Sequence, residues 1–124
     1  MELGESREDY LEAAYVLKLR KGYVRNAMIC RYMGYSQASI SVGIKILRED
    51  GYLIRDSDGF LEITEKGETL AKKIYARHLV LRAFLERLGV SPETADRDAC
   101  RIEHVISEES YQKIRELVEN LKTV

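Results

Sequence analysis

Cysteine is scarce: Cys30 and Cys100 are the only two in 124 residues, too few for a disulfide framework. A reducing, cytoplasmic setting is therefore expected. Proline occurs once, at Pro92, and tryptophan not at all. No proline-rich linker, internal repeat or low-complexity tract divides the chain. No apolar run approaches the length of a membrane span, so no membrane association is expected. The opening residues Met1 to Glu5 show no basic region followed by an apolar one, so no signal peptide is expected either. Catalytic signatures are missing too: there is no glycine-rich phosphate loop, no nucleophile elbow and no H-E-x-x-H helix. What remains is an ordinary globular balance, 45% hydrophobic and 33% charged, sized for one or two small domains.

One further absence is local. From Ala13 to Arg48 there is no Asp or Glu, while the same stretch holds seven cations: Lys18, Arg20, Lys21, Arg25, Arg31, Lys45 and Arg48. Acids crowd before it (Glu5, Glu8, Asp9, Glu12) and after it (Glu49, Asp50, Asp56, Asp58). A merely solvated face mixes its signs. A basic segment inside a chain of net charge −1 points instead to a local anionic partner.

The pattern of apolar residues predicts a first helix capped by Ser6, with Leu11, Ala14 and Tyr15 as its stripe and Gly22 as its stop. Asp9 and Glu12 share a face near its start, where acids also suit the helix dipole. A short helix is predicted from Asn26 to Met33, a turn at Gly34-Tyr35, and a third helix from Gln37 to Asp50 capped by Ser36. That is the helix-turn-helix pattern. Two short strands, Tyr52 to Arg55 and Phe60 to Ile63, flank the turn Asp56-Ser57-Asp58-Gly59. A helix-turn-helix followed by a hairpin is a winged helix. With Ile40, Ile44 and Leu47 facing inward, Gln37, Ser41 and Lys45 face outward. Gln pairs well with adenine, Ser serves several bases and Lys suits phosphate. Ser36, Gln37, Ser39 and Ser41, with the cations Arg25, Lys45 and Arg48, are the candidate contacts to duplex DNA.

The rest of the chain reads as helices. Thr64 caps one running to about Leu88, with Ile74, His78, Leu81 and Leu85 on one face. A lone histidine in such a stripe is ordinarily a core residue. Ser91-Pro92 starts the next, with Ala95, Ala99, Ile102 and Ile106 on its apolar side and Cys100, Glu103 and His104 beside it. Residues three and four apart share a helix face, so this thiol, carboxylate and imidazole project together. All three are metal-ligand types, although a surface Glu-His pair beside a buried cysteine would look the same. Ser107 caps the last helix, whose stripe is Tyr111, Ile114, Leu117, Val118 and Leu121. Three helices after the wing cannot bury all these faces alone, and pairing with a second copy is expected.

The winged helix, the opening Glu8-Asp9-Tyr10-Leu11-Glu12, the segment Tyr75-Ala76-Arg77-His78 and the run Arg101-Ile102-Glu103-His104-Val105-Ile106-Ser107 resemble the metal-dependent repressors. That family includes the diphtheria-toxin repressor, its iron-dependent relatives and the manganese transport regulator. The likeness spans Ser6 to Leu121. It implies a mainly α chain: a winged-helix DNA-binding domain over residues 1–65 and a helical dimerisation and metal-binding domain over residues 66–124. It places the family's metal site on Asp9, Glu12, His78, Glu103 and His104, the pattern of the manganese branch. Cys100 stands where that branch has glutamate and the iron branch has cysteine. Asp9 replaces the iron branch's first-helix methionine, and Arg82 replaces its second-site acid. Hard oxygen donors suit Mn²⁺, while one thiolate shifts preference toward Fe²⁺, Co²⁺ or Zn²⁺. Six candidate ligands could also hold two ions.

The expected function is therefore a metal-activated, homodimeric repressor that binds palindromic operator DNA, senses Mn²⁺ or Fe²⁺ and controls metal-uptake genes. Two rivals belong to other classes. One is a winged-helix regulator sensing an oxidant through Cys100, or a small organic ligand. The other is a small metallohydrolase, for which the sequence offers no substrate-binding motif.

Overall fold

The computed structural model describes residues 5–122. In chain order it contains α1 (Glu5–Lys21), α2 (Asn26–Met33), α3 (Gln37–Glu49), β1 (Leu53–Arg55), β2 (Leu61–Ile63), α4 (Glu65–Arg87), α5 (Pro92–Val105) and α6 (Glu108–Lys122). These fall into two compact units, Met1–Lys72 and Lys73–Val124, with α4 starting in the first and continuing in the second.

In the first unit α1 is the helix around which the core is built. It buries Tyr10, Leu11, Ala13, Ala14, Val16 and Leu17, more of its circumference than a single stripe would. Two acids on the same helix, Glu8 and Glu12, are buried as well. The helix starts at Glu5, so Ser6 lies inside it and is not its cap. The Ser6 and Asp9 spacing imitates a capping box without lying at a helix start. Gly22 ends the helix at φ 86°, and its N–H donates to the Lys18 carbonyl at 2.9 Å.

α2 and α3 form the expected helix-turn-helix. Gly34 takes the left-handed conformation that closes α2, and Ser36 Oγ accepts from the Ser39 N–H at 3.2 Å to open α3. α3 turns Ile40, Gly43, Ile44 and Leu47 inward. Ile40, Ile44 and Leu47 join Leu11, Ala14, Leu17, Val24, Ile29, Leu53 and Leu61 in one apolar cluster. Gly43 is explained here: a Cβ at that position would overlap the Tyr10 ring. The absence of a side chain lets α1 and α3 approach closely.

β1 and β2 pair antiparallel in the register Leu53↔Ile63, Ile54↔Glu62 and Arg55↔Leu61. Each strand starts one residue later than the sequence pattern predicts. The turn is held by Asp56, whose Oδ1 accepts from the N–H groups of Asp58 and Phe60, both at 2.9 Å. The Leu61 N–H donates to the Val24 carbonyl at 2.8 Å, which ties the wing to the segment after α1. Thr64 then caps α4, with Oγ1 accepting from the Gly67 N–H at 3.0 Å and donating to the Gly51 carbonyl at 2.6 Å.

In the second unit the deepest apolar residues are Ile74 and Leu81 on α4, Ala95 and Ala99 on α5, and Tyr111 and Val118 on α6. Ser91 caps α5 through the Thr94 N–H at 3.4 Å, and Ser107 caps α6 through the Ser110 N–H at 3.1 Å. Leu117 is 48% exposed and so lies off the buried stripe of α6. The side chain of Leu121 lies outside the described residues. One buried cation organises the α5–α6 corner. Arg77 donates to the Ile106 carbonyl at 3.1 Å and pairs with Glu108, while its guanidinium lies 5.0 Å from the Tyr111 ring centre.

Candidate metal centre and nucleic-acid interface

The geometry of α5 departs from the sequence expectation in an informative way. Cys100, Glu103 and His104 were expected beside the apolar side of the helix. Instead Ala95, Ala99 and Glu103 recur every four residues along its buried face, and Glu103 is fully buried at 0% exposure. The His104 side chain is 2% exposed, and Cys100 is half-buried. A carboxylate taken wholly out of water requires compensation by charge or hydrogen bonds. Two imidazoles lie against it. His78 Nδ1 on α4 lies 3.0 Å from Glu103 Oε2, and His104 Nε2 lies 3.4 Å from Glu103 Oε1.

His78 is thus more than a core histidine in an apolar stripe. Its ring is held on three sides: by Glu103 at Nδ1, by Asp96 Oδ1 at 2.8 Å from Nε2, and by Tyr75, whose ring is parallel to it within 7°. Ligand atoms of Cys100, Glu103 and His104 lie within 4.8 Å of one another, as do those of His78 and Glu103. Two imidazoles, a buried carboxylate and a thiol form a nitrogen, oxygen and sulfur donor set suited to a divalent transition metal. The donor chemistry of the second unit therefore fits a metal.

The remaining two candidates, Asp9 and Glu12, stand on α1 in the first unit, where Asp9 is half-buried and Glu12 buried. Tyr10 between them has its phenol pushed up from the ordinary tyrosine value, chiefly by burial and then by Tyr35 and Asp9. It therefore stays neutral in the core. Arg82, which replaces the iron branch's acid, is occupied with Glu86 at 3.0 Å and with Asp96 at 3.6 Å. Sequence reasoning missed Asp96, Arg77 and the buried Glu8. Only Arg77 and Glu8 left a trace, as members of segments shared with a family. Asp96 is eighteen residues from its partner His78 on another helix, a pairing no local pattern reveals.

Every candidate DNA contact is exposed: Arg25, Ser36, Gln37, Ser39, Ser41, Lys45 and Arg48. Arg25 is also engaged, its guanidinium 4.0 Å above the Phe60 ring, which Tyr23 meets edge-on at 5.6 Å. This stack braces the wing, a role its charge alone did not suggest. Cys30, with Met28 and Met33, packs against the core of the first unit, as its apolar neighbours imply. None of the described helices is long and apolar enough to cross a membrane.

Comparison with known proteins agrees with this division of labour. Residues 2–60 match the iron dependent repressor N-terminal DNA binding domain, and residues 64–124 match the iron dependent repressor metal binding and dimerisation domain. The HTH-type transcriptional regulator MntR of Lysinibacillus sphaericus (strain C3-41) is 36% identical over 114 residues, 92% of this chain and 82% of that protein. The structure of the manganese regulator SloR superposes with a TM-score of 0.82 at 25% identity, covering 91% of this chain and 53% of that one. The IdeR structure from T. acidophilum gives a TM-score of 0.80 at 29% identity, covering 94% and 54%. The chain thus spans about half the length of these two solved proteins. With a winged helix in its first unit and a metal-type donor set in its second, the chain belongs to the iron-dependent repressor family, metal-dependent transcriptional regulators that pair a DNA-binding domain with a metal-binding and dimerisation domain.

Proposed function

We propose that this protein is a cytoplasmic, Mn²⁺- or Fe²⁺-activated repressor of metal-uptake genes, acting as a homodimer on a palindromic operator. The observation that carries the metal assignment is the fully buried Glu103 carboxylate flanked by His78 and His104, with the Cys100 thiol beside it. Asp9 and Glu12 of α1 complete the proposed ligand set, as the family resemblance implies. When bound, a divalent ion supplies the positive charge that lets carboxylates and a thiolate converge. Without it, those carboxylates repel one another. Binding by both groups of residues then joins α1, and with it the winged helix, to the dimer-forming half. The proposed boundary between the halves falls at residues 65 and 66, and the two family matches meet between residues 60 and 64. Joining the halves favours the arrangement that can grip DNA, a population shift rather than a new contact to the bases.

Gln37, Ser39 and Ser41 are proposed to face base edges, with Arg25, Ser36, Lys45 and Arg48 toward phosphates. A twofold dimer presents two such helices to half-sites about one DNA turn apart, or a multiple of it. The oxygen-rich set of Asp9, Glu12 and Glu103 favours Mn²⁺. Cys100 shifts the balance toward Fe²⁺, with Zn²⁺ and Co²⁺ as competitors. The test is operator binding titrated with Mn²⁺, Fe²⁺ and Zn²⁺, with and without chelator. The proposal expects tight binding only with metal, Mn²⁺ or Fe²⁺ being effective at the lowest concentration. Equal affinity in chelator removes the metal switch.

A further inference from the structure

His78 has a carboxylate on each ring nitrogen, and the two differ in setting. Glu103, on Nδ1, is fully buried beside His104; Asp96, on Nε2, is 55% exposed on the outer side of the ring. A ligating imidazole offers one lone pair and keeps a proton on its other nitrogen. A carboxylate that accepts this second N–H fixes the ring's orientation and tautomer and makes the lone pair more basic. From this geometry we infer that Asp96 is a positioning residue: it holds the proton on Nε2, so that His78 presents Nδ1 to the metal alongside Glu103. The inference rests on the proposal above that His78 is a ligand. Asp96 meets the ring from the side opposite Glu103, so its place is behind the ligand. Two further contacts suit that role. Arg82 Nη1 lies 3.6 Å from the same Asp96 oxygen that faces His78, which steadies the carboxylate. Tyr75 lies parallel to the imidazole, with ring centres 6.4 Å apart, and limits its rotation.

The experiment is calorimetric Mn²⁺ binding to the full chain, alongside ¹⁵N spectra of the protein loaded with ¹¹³Cd²⁺. Asp96→Ala is expected to weaken Mn²⁺ binding about 10- to 100-fold. Asp96→Asn is expected to lose less, because its amide oxygen still accepts from Nε2–H. Asp98→Ala, which removes an exposed acid from the same helix, is expected to change nothing and so controls for net charge. In the wild type, cadmium coupling is expected on His78 Nδ1, with a proton retained on Nε2. Wild-type affinity in Asp96→Ala, an equal loss in Asp98→Ala, or cadmium coupling on Nε2 overturns the inference. His78→Ala separates the two levels. If it too binds Mn²⁺ normally, the ligand assignment itself fails. If it loses binding while Asp96→Ala does not, only the positioning role fails.

Discussion

Glu103 is a fully buried carboxylate on α5. Burying a carboxylate carries a penalty of several kcal/mol unless its surroundings compensate. Replacing it with alanine leaves two imidazoles and a thiol without their shared carboxylate. Glu103→Ala, and likewise His104→Ala, should abolish Mn²⁺-dependent operator binding while the far-UV circular dichroism stays native, read by fluorescence anisotropy on labelled duplex. Lys45, exposed on α3, is a proposed phosphate contact. Lys45→Ala should weaken DNA binding and lower the slope of log affinity against log salt by about one. An unchanged slope would remove Lys45 from the phosphate contacts. A third prediction concerns acid stability. Glu108 is held below the ordinary glutamate value of 4.5, first by its hydrogen bond with Gln112 and then by Arg77. A carboxyl with a lowered folded pKa stabilises the fold above its unfolded value, and that contribution disappears as pH falls through the lower folded value. Glu108→Gln should therefore be less stable than wild type at neutral pH. Denaturant titrations below pH 4.5 should show the gap closing.

Between elements, one tightly constrained contact is Tyr10 of α1 against Gly43 of α3. Gly43→Ala places a methyl group into a filled core and should cost about 1–3 kcal/mol, measured by urea denaturation. A neutral or stabilising result would mean that the two helices part more easily than their packing implies. Gly43 also marks where sequence reading stops. As a residue in a helix it is merely unfavourable; its reason is a ring thirty-three positions earlier. Helix starts were readable because capping is local chemistry: Ser36, Thr64, Ser91 and Ser107 each accept from an N–H three residues on. The same local pattern misled at Ser6, which sits inside α1. Cys100, Glu103 and His104 stood out through helical spacing, but their depth did not, because a heptad-like pattern assigns charged residues to the outside. The His78 pairings with Asp96 and Glu103 link different helices and had no local signature.

At the scale of the whole molecule, the second unit leaves apolar side chains in water: Leu79, Leu88, Val105 and Leu117 are each between 46% and 76% exposed. That matches a family whose C-terminal domain dimerises. Sedimentation should find a dimer, and a charged residue at the most exposed position, as in Val105→Glu, should weaken it if that residue faces the second copy. In the proposed switch, metal bound by the proposed ligand set favours DNA binding. Thermodynamic linkage makes the effect mutual, because a metal that tightens operator binding by some factor must itself be tightened by operator DNA by the same factor. The most direct measurement is therefore calorimetric Mn²⁺ affinity with and without a saturating operator duplex. The account predicts tighter Mn²⁺ binding on the operator, by the factor by which Mn²⁺ tightens operator binding. Identical Mn²⁺ affinity in both conditions would contradict it.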